Sequence, residues 1–216
     1  MKRILFLMMA VAAISLLGGC KVDTTCRIHG TVGMERLNGK KIFLVPLYGP
    51  KSAEYVDSVV IKDGKFEFTP DSAKMYKIIL DYHFRDGVQT LLVVGEPGEV
   101  QVKIDSVSST GGTPQNDSLQ AWKDMTEQHN REFGMVNRTI YLLKQKGDTV
   151  QAAQIQNQAN AVHLAYKKRS RQMAANMEGT ALSDFLGRLF PLTYERKMLD
   201  GTVVTMDADT NEPISK

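Results

Sequence analysis

The sequence predicts an α+β chain: an antiparallel β-sandwich over about residues 25–106, followed by a helical hairpin and a short third helix. Residues 27–104 fall into short runs of alternating apolar and polar positions, cut by Gly, Asn, Asp and Pro at the spacing of sandwich or barrel strands. No helical period interrupts these runs, so the sheets are expected to be mainly antiparallel. From Leu119 onward the apolar period changes to three and four residues, the signature of an amphipathic helix.

Residues 1–19 stand ahead of the fold. Met1-Lys2-Arg3 is a positive start, Ile4 to Leu17 is apolar except for Ser15, and Leu17-Gly18-Gly19-Cys20 closes the stretch with small residues. This is the pattern of a secretory signal. Its ending looks like that of a bacterial lipoprotein signal, in which Cys20 receives lipid and becomes the mature N-terminus. The apolar run is shorter than the roughly 20 residues of a spanning helix, so the expected partner is a membrane reached through a lipid on Cys20. Residues 20–24 then form a tether.

Composition is that of a packed protein, 43% hydrophobic and 24% charged. The formal net charge is +3, and Lys2 and Arg3 leave with the signal. The near-neutral remainder gives no reason to expect nucleic acid as a partner. With Cys20 lipidated, Cys26 has no disulfide partner. It sits in a strand-like run as a small half-buried hydrophobe, and Arg27 points to the opposite face. No Cys-x-x-Cys and no Cys/His cluster of metal spacing is present, so no metal or cofactor is expected.

Ile28, Gly30 and Val32 alternate with Arg27, His29 and Thr31. Asn38-Gly39 marks a turn before the strand Lys41 to Leu47, whose end Pro46 assigns to an edge or bulge. Tyr55–Ile61 and Lys65–Phe68 read as a hairpin joined by Asp63-Gly64, the dipeptide of type I′ turns, with Phe66 and Phe68 facing the core. Met75–Phe84 and Val88–Val94 read as a second hairpin around Arg85-Asp86-Gly87. After the turn Glu96-Pro97-Gly98-Glu99, Val100, Val102 and Ile104 complete about seven strands.

Residues 107–116 read as a linker, with Gly111-Gly112-Thr113 as a hinge and Asn116 or Asp117 capping the helix that follows. The helical region is 117–190. Its first helix carries Leu119, Trp122, Met125, His129, Phe133, Val136, Ile140 and Leu143, and Gly147-Asp148 breaks it. The second runs from about Thr149 to Met177 with Ile155, Ala159, Val162, Tyr166, Met173 and Met177 as its stripe and Arg169 in the seam. Ala181–Phe190 is the third. The tail, 191–216, contains one possible strand over Asp200–Met206 and frays after Asp207.

The ordered set Ile28-x-Gly30-x-Val32, Ile42-Phe43-Leu44, Asp57-Ser58-x-x-Ile61, Asp63-Gly64-x-Phe66-x-Phe68, Glu96-x-Gly98-x-Val100 and Gly112-Thr113-x-x-Asn116 resembles an uncharacterised domain. That domain lies at the N-terminus of thioredoxin-like envelope lipoproteins of Gram-negative gut bacteria. The resemblance covers about residues 26–190 and implies a cell-envelope location, outer membrane on either its periplasmic or its surface side. Those relatives carry a redox Cys-x-x-Cys that this sequence lacks, so their oxidoreductase activity is not expected here.

Other constellations carry little chemistry. His29, His83, His129 and His163 are dispersed in sequence without a His-x-x-x-His pair. Ser58 follows Asp57 mid-strand, without the Gly-x-Ser-x-Gly elbow of a nucleophile. Lys167-Lys168-Arg169-Ser170-Arg171 sweeps around a helix as solvated charge. Tyr48, Tyr55, Tyr76, Tyr82 and Trp122 are read as core before they are read as a glycan groove. The expectation is a non-enzymatic, lipid-anchored envelope lipoprotein of unknown ligand, with an envelope protein as possible partner. Two alternatives are an accessory to a separate thioredoxin-like oxidoreductase and a glycan-binding surface lipoprotein.

Overall fold

The structure, a computed structural model, describes residues 24–50, 53–71, 73–80 and 91–214. The signal stretch, Cys20, and the Arg85-Asp86-Gly87 turn with His83 and Tyr82 lie outside them. The chain is α+β. Ten strands are described: β1 Cys26–Val32, β2 Lys41–Pro46, β3 Asp57–Val60, β4 Lys65–Phe68, β5 Met75–Leu80, β6 Leu91–Val94, β7 Gly98–Ile104, β8 Ser109–Gly111, β9 Thr193–Lys197 and β10 Val203–Asp207. Three α-helices lie between β8 and β9: α1 Pro114–Gln145, α2 Thr149–Ala175 and α3 Ala181–Leu189.

Two four-stranded sheets face each other, in the orders β4-β1-β7-β8 and β3-β2-β5-β6. Alternation decides which side chains meet between them. Ile28 and Val32 of β1, Val100, Val102 and Ile104 of β7, and Phe66 and Phe68 of β4 point inward, against Ile42, Leu44, Ile78, Leu91 and Val93 of the second sheet. Burying an aliphatic or aromatic side chain of this size contributes about 1.5–3 kcal/mol, so this interior dominates the stability of the sandwich. Pro46 ends β2 beyond the last residue paired with β3, where its missing N–H leaves no ladder bond unmade.

Two strand relations differ from the expected ones. β1 and β7 pair in parallel, in register from Cys26↔Gly98 to Val32↔Ile104, so the sandwich is antiparallel except at this central pair. Parallel neighbours require a long crossover, and here the whole second sheet is threaded between them. The Asp63-Gly64 turn has the positive φ angles of type I′, 51° and 68°. The strands on either side of it nonetheless separate: β3 joins β2, β4 joins β1, and only the Lys62–Lys65 bridge spans the turn. Ile61, fully buried, anchors the crossing through backbone bonds with Gly39 and Lys40.

The 107–116 stretch is not a hinge. Ser109–Gly111 is an edge strand on β7, and α1 already begins at Pro114 with Thr113 as its N-cap. Asn116 and Asp117 lie inside the first turns of the helix, and Asp117 Oδ1 accepts from the Gly112 N–H at 2.8 Å. Gly112 has φ +90°, and a Cβ there would stand 2.6 Å from the Glu99 carbonyl oxygen, so the approach admits only glycine.

Thr113 adjoins Gly98, Gln120 Oε1 accepts from the Thr110 N–H, and the Lys123 ammonium reaches the Ser108 carbonyl. Because β8 runs antiparallel to β7, these contacts show α1 travelling in the direction of β1 and β7. A second apolar core, Met75, Val94, Leu119, Trp122, Ala174, Leu182, Phe185 and Leu186, joins the three helices to β5 and β6. Trp122 meets Phe185 edge-to-face at 5.5 Å. Beyond Thr126, the hydrogen bonds and ring contacts described for α1 stay within it or go to α2. The outer turns of α1 and α2 therefore form a two-helix arm with its tip at 146–148.

The tail is a hairpin, not the single expected strand: β9 and β10 pair antiparallel from Thr193↔Asp207 to Lys197↔Val203. Nor is it frayed after Asp207. Asp209 is gripped by Arg171 through two bonds of 2.7 Å and by Lys167 at 3.0 Å, and the Arg171 guanidinium also donates to the Phe190 and Pro191 carbonyls. Arg169, expected in the helix seam, is exposed; Ser170 and Ala174 occupy that position.

Candidate functional site

Besides the Arg171–Lys167–Asp209 cluster that holds the tail, three polar clusters emerge among the described residues. The first joins sandwich to helices. Glu96 follows β6 in the stretch expected to be an ordinary turn, and its residue is only 7% exposed. One of its oxygens accepts from the Thr113 hydroxyl at 2.5 Å, from the Gln115 N–H at 2.8 Å and from the Asn116 N–H at 3.2 Å. The other accepts from Gln115 Nε2 at 3.0 Å. A carboxylate thus sits on the orphan N–H groups of the first turn of α1, where the helix dipole also favours negative charge. Asn116, fully buried, completes the junction as a surrogate strand: its amide accepts from the Val94 N–H and donates to the Val94 carbonyl, each at 2.9 Å. Gln115 Oε1 reaches the Leu182 N–H in α3. The cluster clamps β6, α1 and α3 together, and every oxygen of Glu96 is committed to that task.

The second cluster lies on the outer face of β4-β1-β7. His29 Nε2 contacts Glu99 at 2.5 Å and its Nδ1 lies 3.6 Å from Glu67, while Arg27 donates to Glu99 at 3.0 Å. The histidine and the arginine hold the Glu99 carboxyl below its ordinary range. Alternation along β1 places Arg27 and His29 on this face, and the parallel register brings in Glu99. A shallow depression lined by His29, Thr31, Lys65, Glu67 and Gln101 adjoins them. All of these side chains are solvent-facing or half-buried, the setting of a cross-strand ion ladder.

The third cluster lies between α1 and α2. His129 Nε2 and His163 Nδ1 are 3.0 Å apart, so one imidazole donates to the other. His129 stacks on Tyr166 with ring centres 4.2 Å apart and an interplanar angle of 5°, Phe133 stacks on His129, and Phe190 meets Tyr166 edge-to-face. The Tyr166 hydroxyl meets Thr126 at 2.9 Å. Burial, then the neighbouring His129 and Lys167, depress the His163 pKa. Dispersal in sequence had hidden this pair. The stripe already placed His129 on the inner face of α1, and His163 stands beside Val162 and Tyr166 of the matching stripe of α2.

The remaining candidates stay apart. Cys26 is buried in the sandwich core, and desolvation raises its thiol pKa, which opposes thiolate chemistry. Ser58 is exposed, and its N–H donates to Asp57. Tyr76 and Trp122 are buried in separate cores, whereas Tyr48 and Tyr55 are exposed, with Arg188 over the Tyr48 ring at 5.0 Å. In the basic run, Lys167 and Arg171 hold the tail while Lys168 and Arg169 face solvent. No group of three metal-ligating side chains is found among the described residues. Among them, too, no helix is long and apolar enough to cross a membrane.

No curated protein and no solved structure matches the chain. Residues 26–119, which take in β1 through β8, the Glu96–Asn116 junction and the opening of α1, match the family model of a domain of unknown function, DUF4369.

Proposed function

We propose that this chain is a lipid-anchored cell-envelope lipoprotein whose β-sandwich and helical arm form a non-catalytic interaction or scaffold module. The observation that carries the reading is the Met1–Cys20 stretch, with its positive start, apolar run and Leu-Gly-Gly-Cys ending. A diacylated or triacylated Cys20 suffices for stable anchoring. The resemblance to the leading domain of thioredoxin-like envelope lipoproteins supports the same compartment. The polar clusters support a structural role: Glu96 and Arg171 are committed to joining elements, and the Cys26 thiol is inside the core.

The test is metabolic labelling of the full chain with an alkyne analogue of palmitate, with fractionation of the envelope. Wild type is expected to carry label and to sediment with membranes, and Cys20→Ala to lose both properties. Label retained by Cys20→Ala refutes lipidation at that position.

A further inference from the structure

Among the described residues, no third element covers the arm formed by the outer turns of α1 and α2, and its surface is unusual. From Thr149 to Ala165, α2 contains no Asp, Glu, Lys or Arg. Charged residues make up about a quarter of an ordinary globular chain, whereas the centres of protein interfaces are depleted of them. Along one side of the arm runs a groove of about 220 Å³ lined by Glu132, Val136, Ile155, Gln158 and Val162, with His129 and Phe133 also bordering it. Val162 is 54% exposed, and Met135 at 65% and Leu142 at 49% flank that side. At 100° per residue, Thr139 and Leu143 continue the α1 edge of this face and Gln151 the α2 edge.

The charges on α1 and the tip are segregated along the arm. Asp124, Glu127 and Glu132 outnumber Lys123 and Arg131 by one near the sandwich, and Arg138, Lys144 and Lys146 outweigh Asp148 near the tip. Of these, Glu132 and Lys146 flank the uncharged face, with Thr139 midway between them. We propose that this face packs against the same face of a second copy, the arms running antiparallel about a two-fold axis near Thr139. That arrangement sets Glu132 of each copy over Lys146 of the other, and the acidic base of each arm over the basic tip of its mate. A parallel pair, related by an axis along the arm, would set each α1 over the uncharged α2 of its mate and leave Glu132 and Lys146 without an opposite charge across the interface. Self-complementarity of a single patch is what a two-fold interface requires.

Residues 132–146 extend about 21 Å, and two helices side by side span about 20 Å. The covered surface is then about 420 Å² per copy, about 840 Å² in all, in the range of weak, transient interfaces. The dimer is accordingly expected to be reversible at micromolar concentrations.

The test uses the full chain purified in detergent, in a Cys20→Ser, Cys26→Ser background that removes both native thiols and makes the result independent of lipidation. Sedimentation velocity is expected to show monomer passing to dimer as concentration rises. Val162→Glu, at an exposed position, should weaken the dimer about tenfold or more with helicity by circular dichroism unchanged. Under mild oxidation Thr139→Cys should link to itself and Lys146→Cys should not, while a mixture of Glu132→Cys and Lys146→Cys chains should link to each other. A chain that stays monomeric to 100-fold above the micromolar range overturns the proposal. So does self-linking of Lys146→Cys as strong as that of Thr139→Cys. Binding of monomers through this face to phosphatidylglycerol vesicles or to another envelope protein overturns it as well.

Discussion

Glu96→Ala should be among the most destabilising substitutions in this chain, and the cost follows from what the carboxylate leaves behind. Four donors converge on it between 2.5 and 3.2 Å: the Thr113 hydroxyl, two backbone N–H groups at the start of α1 and the Gln115 amide. A hydrogen bond to a charged group is worth about 1.5–3 kcal/mol, but donors sharing one acceptor do not add. Removing one member of a buried charged cluster costs about 3–5 kcal/mol, and that is the expected loss. At about 2–4 °C per kcal/mol for a chain of this size, the melting temperature should fall by on the order of 10 °C. Glu96→Gln keeps the shape and one acceptor oxygen but turns its amide toward Gln115 Nε2, also a donor, so it should cost about half as much. Urea unfolding followed by far-UV circular dichroism measures both. Because Glu96 joins the two cores, Glu96→Ala should also separate the Trp122 fluorescence transition from the sheet transition. A Glu96→Ala variant within about 0.5 kcal/mol of wild type, with the two transitions still coincident, would refute the clamp.

Three further outcomes follow from other residues. Asp209 is held well below the usual carboxylate range, first by Arg171 and then by Lys167; its stabilisation is present above the unfolded value near 3.9 and is lost as pH falls through the folded value. Asp209→Asn should therefore remove an acid-dependent step below about pH 4 and open β9–β10 to trypsin at Arg196 and Lys197. His163, whose pKa is depressed by burial and then by His129 and Lys167, contributes stability that is complete above about pH 6.5 and erodes as pH falls below it. His163→Gln should flatten the drop in melting temperature between pH 7 and 5, as read by thermal scans at fixed ionic strength. Cys26, buried and with a raised pKa, should react with iodoacetamide at least about 100-fold more slowly in the native chain than in urea, as measured by mass spectrometry.

Local chemistry was legible in the sequence, and pairing over distance was not. The inward faces of β1, β4 and β7 followed from alternation, and the Asp63-Gly64 conformation from the dipeptide alone. The same dipeptide suits a chain that stays in one sheet and a chain that crosses to another, so the parting of β3 from β4 had no local signal. The parallel partnership of β1 and β7 is set by seven pairings across about seventy residues of chain, which no window of alternation can register. Gly, Ser and Thr concealed β8, because an edge strand with one partner needs little apolar content. Glu96 read as turn chemistry since Glu-Pro-Gly describes a turn equally well; its burial arises from the α1 N-terminus, brought back against it by β8. His129 and His163 were legible as members of two stripes and illegible as a pair, since phase between helices depends on the 147–148 break. Lys167 and Arg171 were visible as charge, but their partner Asp209 lies in a tail whose polarity concealed a hairpin.

The junction also determines what the arm can do. Glu96, Asn116 and Gln115 fix α1 to β6 and α3, and Gln120 and Lys123 fix it to the β8 region, so the arm cannot swing about residues 107–116. α1 starts beside Gly98, the level at which β1 begins, and its 32 residues run about 48 Å in the direction of β1. The chain therefore enters the sandwich at one extreme of the molecule and the arm ends at the other. A lipid on Cys20 would hold the entry end close to a bilayer, because residues 20–24 reach at most about 18 Å. Two arms paired antiparallel carry their entry ends in opposite directions. Both lipids of such a pair reach one bilayer only when the pair lies along the membrane, with the arms parallel to its plane. A dimer lying flat and an upright monomer place the 146–148 tip at different heights. Quenching of a fluorophore at Lys146→Cys by headgroup-labelled lipid should accordingly rise with surface density of the protein if the dimer forms, and stay constant if it does not.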